Sequence, residues 1–189
     1  MRRVIKSLIV ISAMALVAAT PKSASAEGYV SPFIGANFGA GQADGRANFG
    51  VDAGYMGAGI AGFEVDYGYA PNFFGSAGSF GDNNVQSIMA NLILGIPVGG
   101  TRGAGFRPYA TIGLGLIRTQ LDGAVGFPKI ANTDMGLNGG VGVMGFLSNH
   151  AGLRADLRYF QNLSDENSTS TVQFGGFHFW RASFGVVIR

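Results

Sequence analysis

The stretch from Ala47 to Tyr69 limits what this chain can fold into more than any other. In its first arm, Ala47, Phe49, Val51, Ala53 and Tyr55 alternate with Asn48, Gly50, Asp52, Gly54 and Met56. In its second arm, Ala61, Phe63, Val65, Tyr67 and Tyr69 alternate with Gly62, Glu64, Asp66 and Gly68. Side chains along a strand change face at every residue, so each arm reads as an amphipathic strand. Aromatic residues on one face and charge with glycine on the other admit two folds. A soluble sandwich turns the apolar face inward, whereas a transmembrane barrel turns it outward into lipid.

Met1 to Ala26 has to be set aside before that choice is made. Arg2, Arg3 and Lys6 precede an apolar run from Leu8 to Ala19, and Ala24-Ser25-Ala26 has the small-x-small form of a secretory cleavage site. The run falls short of the roughly 20 apolar residues that span a bilayer. A signal cleaved after Ala26 is expected, leaving one domain from Glu27 to Arg189. Removing it also reverses the charge. Four of the 13 Lys and Arg residues (Arg2, Arg3, Lys6, Lys22) leave while all 11 acids stay, so the remaining domain carries −2. Such a balance offers no basic surface to nucleic acid. The chain has no cysteine, which excludes a disulfide framework and a lipid-modified N-terminal cysteine.

The same period-2 pattern recurs along the domain. Tyr29–Gly39 reads as a first strand, blurred by Pro32 and Phe33, and the two arms above supply the second and third. A three-residue turn at Gly57-Ala58-Gly59 would set Asp52 opposite Glu64 with Asp66 close by. Like charges across a ladder are unfavourable, so that face needs arginines from elsewhere. Asn84–Leu94, Phe106–Arg118 and Asp134–Phe146 read as strands four to six. In the seventh, Leu153, Ala155, Leu157 and Tyr159 alternate with Arg154, Asp156 and Arg158. In the eighth, Trp180, Ala182, Phe184, Val186 and Ile188 alternate with Arg181, Ser183, Gly185 and Arg189. The longer connectors are Ala70–Asn83, Thr119–Thr133 and Gln161–Thr171. Eight strands with long and short connectors in alternation predict an all-β fold, a single antiparallel up-and-down transmembrane barrel with both termini periplasmic.

The polar faces gather Asp52, Glu64, Asp66, Asp134 and Asp156 with Arg107, Arg154, Arg158, Arg181 and Arg189. An eight-strand lumen is only wide enough for side chains to fill, and glycines make room there for long arginine and glutamate chains. A lumen ion-pair network is therefore expected. The opposite faces carry almost no charge, and lipid removes the penalty of exposing so much apolar surface. Tyr55, Tyr67, Tyr69, Tyr159, Phe160, Phe177, Phe179 and Trp180 lie near strand ends, where interfacial girdles are expected.

With the signal and strand count, segments such as Tyr109-Ala110-Thr111-Ile112-Gly113-Leu114-Gly115 and Phe179-Trp180-Arg181-Ala182-Ser183-Phe184-Gly185 make Glu27–Arg189 resemble the eight-stranded bacterial outer-membrane barrel family. That superfamily includes the OmpA transmembrane domain and OmpX-like proteins. The resemblance implies a monomer in the bacterial outer membrane. Its partners would be outer-membrane lipids and lipopolysaccharide, together with the outer-membrane assembly machinery during biogenesis. Members usually finish on an aromatic residue that this machinery reads, whereas this chain finishes on Arg189. No peptidoglycan-binding domain follows, so no tether to the cell wall is expected.

The motifs that could carry chemistry are weak. Gly57-Ala58-Gly59-Ile60-Ala61-Gly62 fits G-x-G-x-x-G, but a strand follows where the dinucleotide fold requires a helix. His150 sits in a short connector, and His178 has outward parity beside Trp180. Some barrels of this size modify lipid A with an interfacial His and Ser; here Ser183 is five residues on and of inward parity. Two histidines so placed form no metal site. Glu64 and Asp66 share a face, but arginines that hold them ionised favour a structural role over acid–base work. Asn162-Leu163-Ser164 and Asn167-Ser168-Thr169 fit a glycosylation sequon and read as polar loop residues. No cofactor, metal or catalytic residue is expected. The expected function is a non-enzymatic barrel scaffold presenting surface loops for contact, adhesion or envelope integrity. A narrow passive channel and an outer-leaflet lipid-modifying enzyme are the alternatives.

Overall fold

A computed structural model describes residues 26–39, 45–75, 83–99, 103–121, 130–163 and 177–189. Eight strands follow in chain order: β1 (Ala26–Phe38), β2 (Arg46–Gly57), β3 (Ala61–Pro71), β4 (Asn83–Gly95), β5 (Gly105–Leu121), β6 (Ile130–Phe146), β7 (Ala151–Asn162) and β8 (His178–Ile188). Each pairs antiparallel with the next, and β8 returns to β1, so the sheet closes as an up-and-down barrel. Closure leaves no unpaired edge, which lipid would not tolerate. No helix among the described residues is long and apolar enough to cross a membrane. The segment Met1–Ala26 lies outside the described residues apart from Ala26, which pairs with Gly57 at the start of β1. Residues 76–82, 122–129 and 164–176, which take in much of the three longer connectors, also lie outside them.

Alternation along the strands sorts side chains as the period-2 pattern requires. On β8, the residues from His178 to Ile188 run strictly exposed, buried, exposed. Ile34 is 70% exposed and Ile112 63%, while Arg158 on the inner face is 0% exposed. The apolar face is thus the outside of the molecule on every strand, and the charged face is its core. The β1–β8 seam has one irregularity. Its ladder pairs Val30 with Ile188 and resumes at Phe33 with Gly185, skipping the stretch that holds Pro32, a residue with no N–H to donate.

Two expectations need correction here. The β2–β3 turn lies at Ala58–Ile60, one residue later than expected. Ala58 (φ 50°) and Gly59 (φ 68°) are the left-handed pair, and the Ile60 N–H donates to the Gly57 carbonyl at 2.9 Å. Gly57 remains extended, so the register moves by two residues: Asp52 faces Asp66, and Glu64 faces Gly54. Second, β5 and β6 run past the expected ends at Arg118 and Asp134. They pair as far as Leu121 with Ile130, absorbing both flanks of the expected Thr119–Thr133 loop.

Candidate functional site

The inner faces stack in three tiers along the barrel axis. The middle one is built by β2, β3, β7 and β8, whose inward positions are Asp52, Glu64, Asp66, Arg154, Asp156, Arg158 and Arg181, all buried. Arg154 meets Glu64 at 2.6 Å, Asp156 at 3.1 Å and Asp52 at 3.3 Å. Arg158 meets Glu64 and Asp156 at 2.7 Å each, Asp66 at 3.3 Å and Asp52 at 3.7 Å. Arg181 pairs with Asp66, its guanidinium lying 4.7 Å from the ring centres of both Phe33 and Phe160. Two phenols complete the tier. The Tyr29 hydroxyl donates to Glu64 at 2.6 Å, and the Tyr109 hydroxyl donates to Asp156 while accepting from Arg154 Nε at 2.6 Å.

Glycines make the space for this packing. A Cβ on Gly54 would come within 2.7 Å of the Tyr29 ring and hydroxyl, and one on Gly142 would strike the Tyr109 hydroxyl. A Cβ on Gly68 would meet Arg181 Nη1 at 2.6 Å. The lumen is filled by long side chains from some strands because others contribute none.

The lower tier, at the end that carries the chain termini, is an apolar cluster of Tyr29, Met56, Ile93, Tyr109, Met144, Phe146 and Val187. Below it, Glu27 bridges Arg107 at 3.2 Å and Arg189 at 3.1 Å. Arg189 lies 3.8 Å over the Phe146 ring and donates to the carbonyls of Asn149, Gly103 and Ser148, tying two turns to the last strand. The upper tier is a second apolar cluster: Ala70, Phe73, Val85, Met89, Ile117, Phe160 and Phe179, with Phe74 and Phe177 packed against it. Phe160 and Phe179 stack at 4.8 Å with their planes 4° apart.

The ten residues expected to share one network are therefore divided. Asp52, Glu64, Asp66, Asp156, Arg154, Arg158 and Arg181 come together. Arg107 and Arg189 lie a tier below with Glu27. Asp134 sits toward the opposite end and accepts from Asn132 at 2.7 Å and Asn162 at 3.0 Å. Parity assigns a face but not a height, and height is what separates these groups. Glu27, Tyr29 and Tyr109 are members that the charge count missed, although Tyr29 shares the parity of Ser31 and Phe33. The girdle expectation also needs correction. Tyr55, Tyr67 and Trp180 do face outward, but Phe160 and Phe179 are buried in the lumen and Phe177 packs on them. Their parity, that of Arg158 and Arg181, points inward.

In the middle tier every carboxylate lies against a guanidinium, and His178 is exposed on the outer face while Ser183 is buried on the inner one. Among the described residues no three His, Cys, Asp or Glu side chains are grouped to hold a metal ion.

Known proteins agree with the architecture. Neisserial surface protein A has the same fold with a TM-score of 0.65 at 22% identity, over 87% of this chain and 98% of its own. The N-terminal barrel domain of Pseudomonas aeruginosa OprF aligns with a TM-score of 0.60 at 18% identity, over 87% and 97%. Ail, the attachment invasion locus protein of Yersinia pestis, aligns at 0.50 with 12% identity, over 86% and 96%. No curated protein sequence matches the chain. The sequence model of one family, the outer membrane protein beta-barrel domain, matches residues 7–186. An apolar outer face, a closed eight-strand ladder and that match together place the chain in the bacterial outer membrane, as a member of the outer membrane protein beta-barrel domain family.

Proposed function

We propose that the protein is a non-enzymatic barrel scaffold with a sealed lumen, which holds the connectors at its outer end for contact with other surfaces or for envelope integrity. The carrying observation is the stacking of a charged tier between two apolar ones. Ions entering from either end would have to cross buried phenylalanine and methionine, with the three arginines already committed to carboxylates. That arrangement supports a scaffold over a passive channel. The separation of His178 from Ser183 supports it over a lipid-modifying enzyme.

In this reading the domain is exported by a cleaved signal ending at Ala26 and inserted as a monomer by the outer-membrane assembly machinery. Its surroundings are outer-membrane lipids and lipopolysaccharide. The termini and short turns face the periplasm, which leaves the connectors after β1, β3, β5 and β7 outside.

The test is to replace residues 76–82, 122–129 and 164–176 with short Gly-Ser turns. A scaffold keeps its heat-modifiable gel mobility and loses surface attachment or envelope resistance. Retention of the wild-type phenotype would show that the connectors are not the working part. Mass spectrometry of lipid A with and without the protein addresses the enzyme reading, and a change in acylation would favour it.

A further inference from the structure

Among the described strand residues, Arg118 is the one charged side chain of the outer face. It sits on β5 directly after the outward run Phe106, Pro108, Ala110, Ile112, Leu114 and Leu116. That run covers about the 9–11 residues a tilted strand needs to cross the hydrocarbon core. Arg118 therefore stands just past the apolar band, at the end away from the termini. An arginine facing lipid costs about 2–4 kcal/mol at the midplane and about 0–1 near the interface. Its placement is compatible with headgroup level only.

The neighbours of Arg118 change character at the same height. Gln86 on β4 is its direct cross-strand partner, and Asn84 faces Gln120 one step further out. The Gln86 amide donates to Asn84 Oδ1 at 3.2 Å and to Gln120 Oε1 at 3.4 Å. Accepting through oxygen leaves Asn84 and Gln120 their amide N–H groups as donors. None of the ion pairs among the described residues includes Arg118. Immediately below, Ile88 pairs with Leu116, and Leu116 with Met135; all three are about half exposed. A guanidinium with amide donors thus stands above an apolar floor. Elsewhere at the outer end the outward face carries aromatic pairs, Phe49 with Tyr69 and Tyr159 with Trp180.

We propose that Arg118, Gln120 and Asn84, the two amides oriented by Gln86, form a phosphate-headgroup site for a phosphorylated lipid of the outer leaflet, whose acyl chains lie on Ile88, Leu116 and Met135. The inference rests on the outer-membrane reading and goes beyond it by naming where on the barrel the lipid is held. Guanidinium binds phosphate through two parallel charge-assisted hydrogen bonds, a geometry that lysine and glutamine cannot reproduce. The apolar floor is what distinguishes a lipid phosphate from a free one.

The test uses the full barrel purified in detergent and loaded with bisphosphorylated lipid A, with dephosphorylated lipid A as the matched control. Retained lipid is read by native mass spectrometry. Wild type should keep the phosphorylated lipid about tenfold better than Arg118→Gln, the size expected for charge-assisted hydrogen bonds. The two should not differ for the dephosphorylated lipid. Arg118→Lys should recover only part of the difference. Unheated gel mobility shows that each variant is a folded barrel, so loss of lipid is separable from loss of the membrane fold. Equal retention by wild type and Arg118→Gln would overturn the proposal. So would competition by inorganic phosphate at the same strength as lipid A.

Discussion

Asp52 and Asp66 lie directly opposite one another across the β2–β3 ladder, both buried in the lumen. Two carboxylates at that spacing repel unless cations stand between them, and Arg158 reaches both. The middle tier nevertheless holds four carboxylates against three guanidiniums. The surplus falls on Asp52, the one carboxylate of the tier with no ion pair shorter than 3.3 Å. Glu64, by contrast, takes 2.6 and 2.7 Å contacts from two arginines and a third short bond from Tyr29.

Neutralising Asp52 should therefore be mild. Asp52→Asn is expected to change unfolding free energy by no more than about 1 kcal/mol in either direction, whereas Glu64→Gln, which weakens a short contact to each of Arg154 and Arg158, should cost about 3 kcal/mol or more. Urea unfolding in detergent micelles, followed by tryptophan fluorescence and gel mobility, measures both. Equal damage from the two variants would mean that the charge surplus is placed on the wrong residue.

Arg158 is the hub, touching Asp52, Glu64, Asp66 and Asp156. Removing a buried ion's partner leaves uncompensated charge, so Arg158→Met should cost about 3–5 kcal/mol. The variant should lose its fast-migrating folded form at a markedly lower temperature than wild type. An unchanged transition would reduce the tier to space filling.

Glycine sensitivity should follow the lumen and not the strand. Gly142→Val drives a side chain into the Tyr109 hydroxyl and should cost about 1–3 kcal/mol through overpacking. Gly145, three residues along the same strand, has nothing within 4 Å of its missing Cβ, so Gly145→Ala should leave the unfolding midpoint unchanged. Comparison of the two midpoints checks the prediction.

The upper plug should matter to stability. Phe160 stacks on Phe179 and packs against Arg181 of the tier below, so Phe160→Ala should cost about 3–5 kcal/mol. Tyr55→Ala, which removes a ring of similar size from the lipid-facing side, should cost clearly less in the same assay. If Tyr55→Ala costs as much, the lumen stack is not where the aromatic energy lies.

Much of this was readable from the residues, because the period-2 rule assigns a face without any knowledge of the fold. The eight strands, the inward arginines of β7 and β8 and the outward Val, Leu and Phe all follow from it. Three features did not, each for a physical reason. The β2–β3 turn could place its left-handed residues at Gly57 or at Gly59, and the difference moves Glu64 past Asp52 to Gly54. The outer ends of β5 and β6 run on through Gln120, Asn132 and Thr133, where backbone pairing continues but lipid no longer imposes an apolar face. Height in the lumen depends on the stagger between strands, which is why Arg107 and Arg189 could not be told apart from Arg154 by parity. The inward Phe160 and Phe179 were a different case: their parity was legible, and proximity to the strand ends obscured it.

The central claim is a lumen closed by three stacked tiers, and single-channel recording in planar bilayers tests it most directly. Purified, heat-modifiable wild-type protein inserted at high copy number in molar salt is predicted to give a silent baseline. Reproducible ohmic conductance steps that scale with the amount of folded protein would contradict the sealed scaffold and make the barrel a channel.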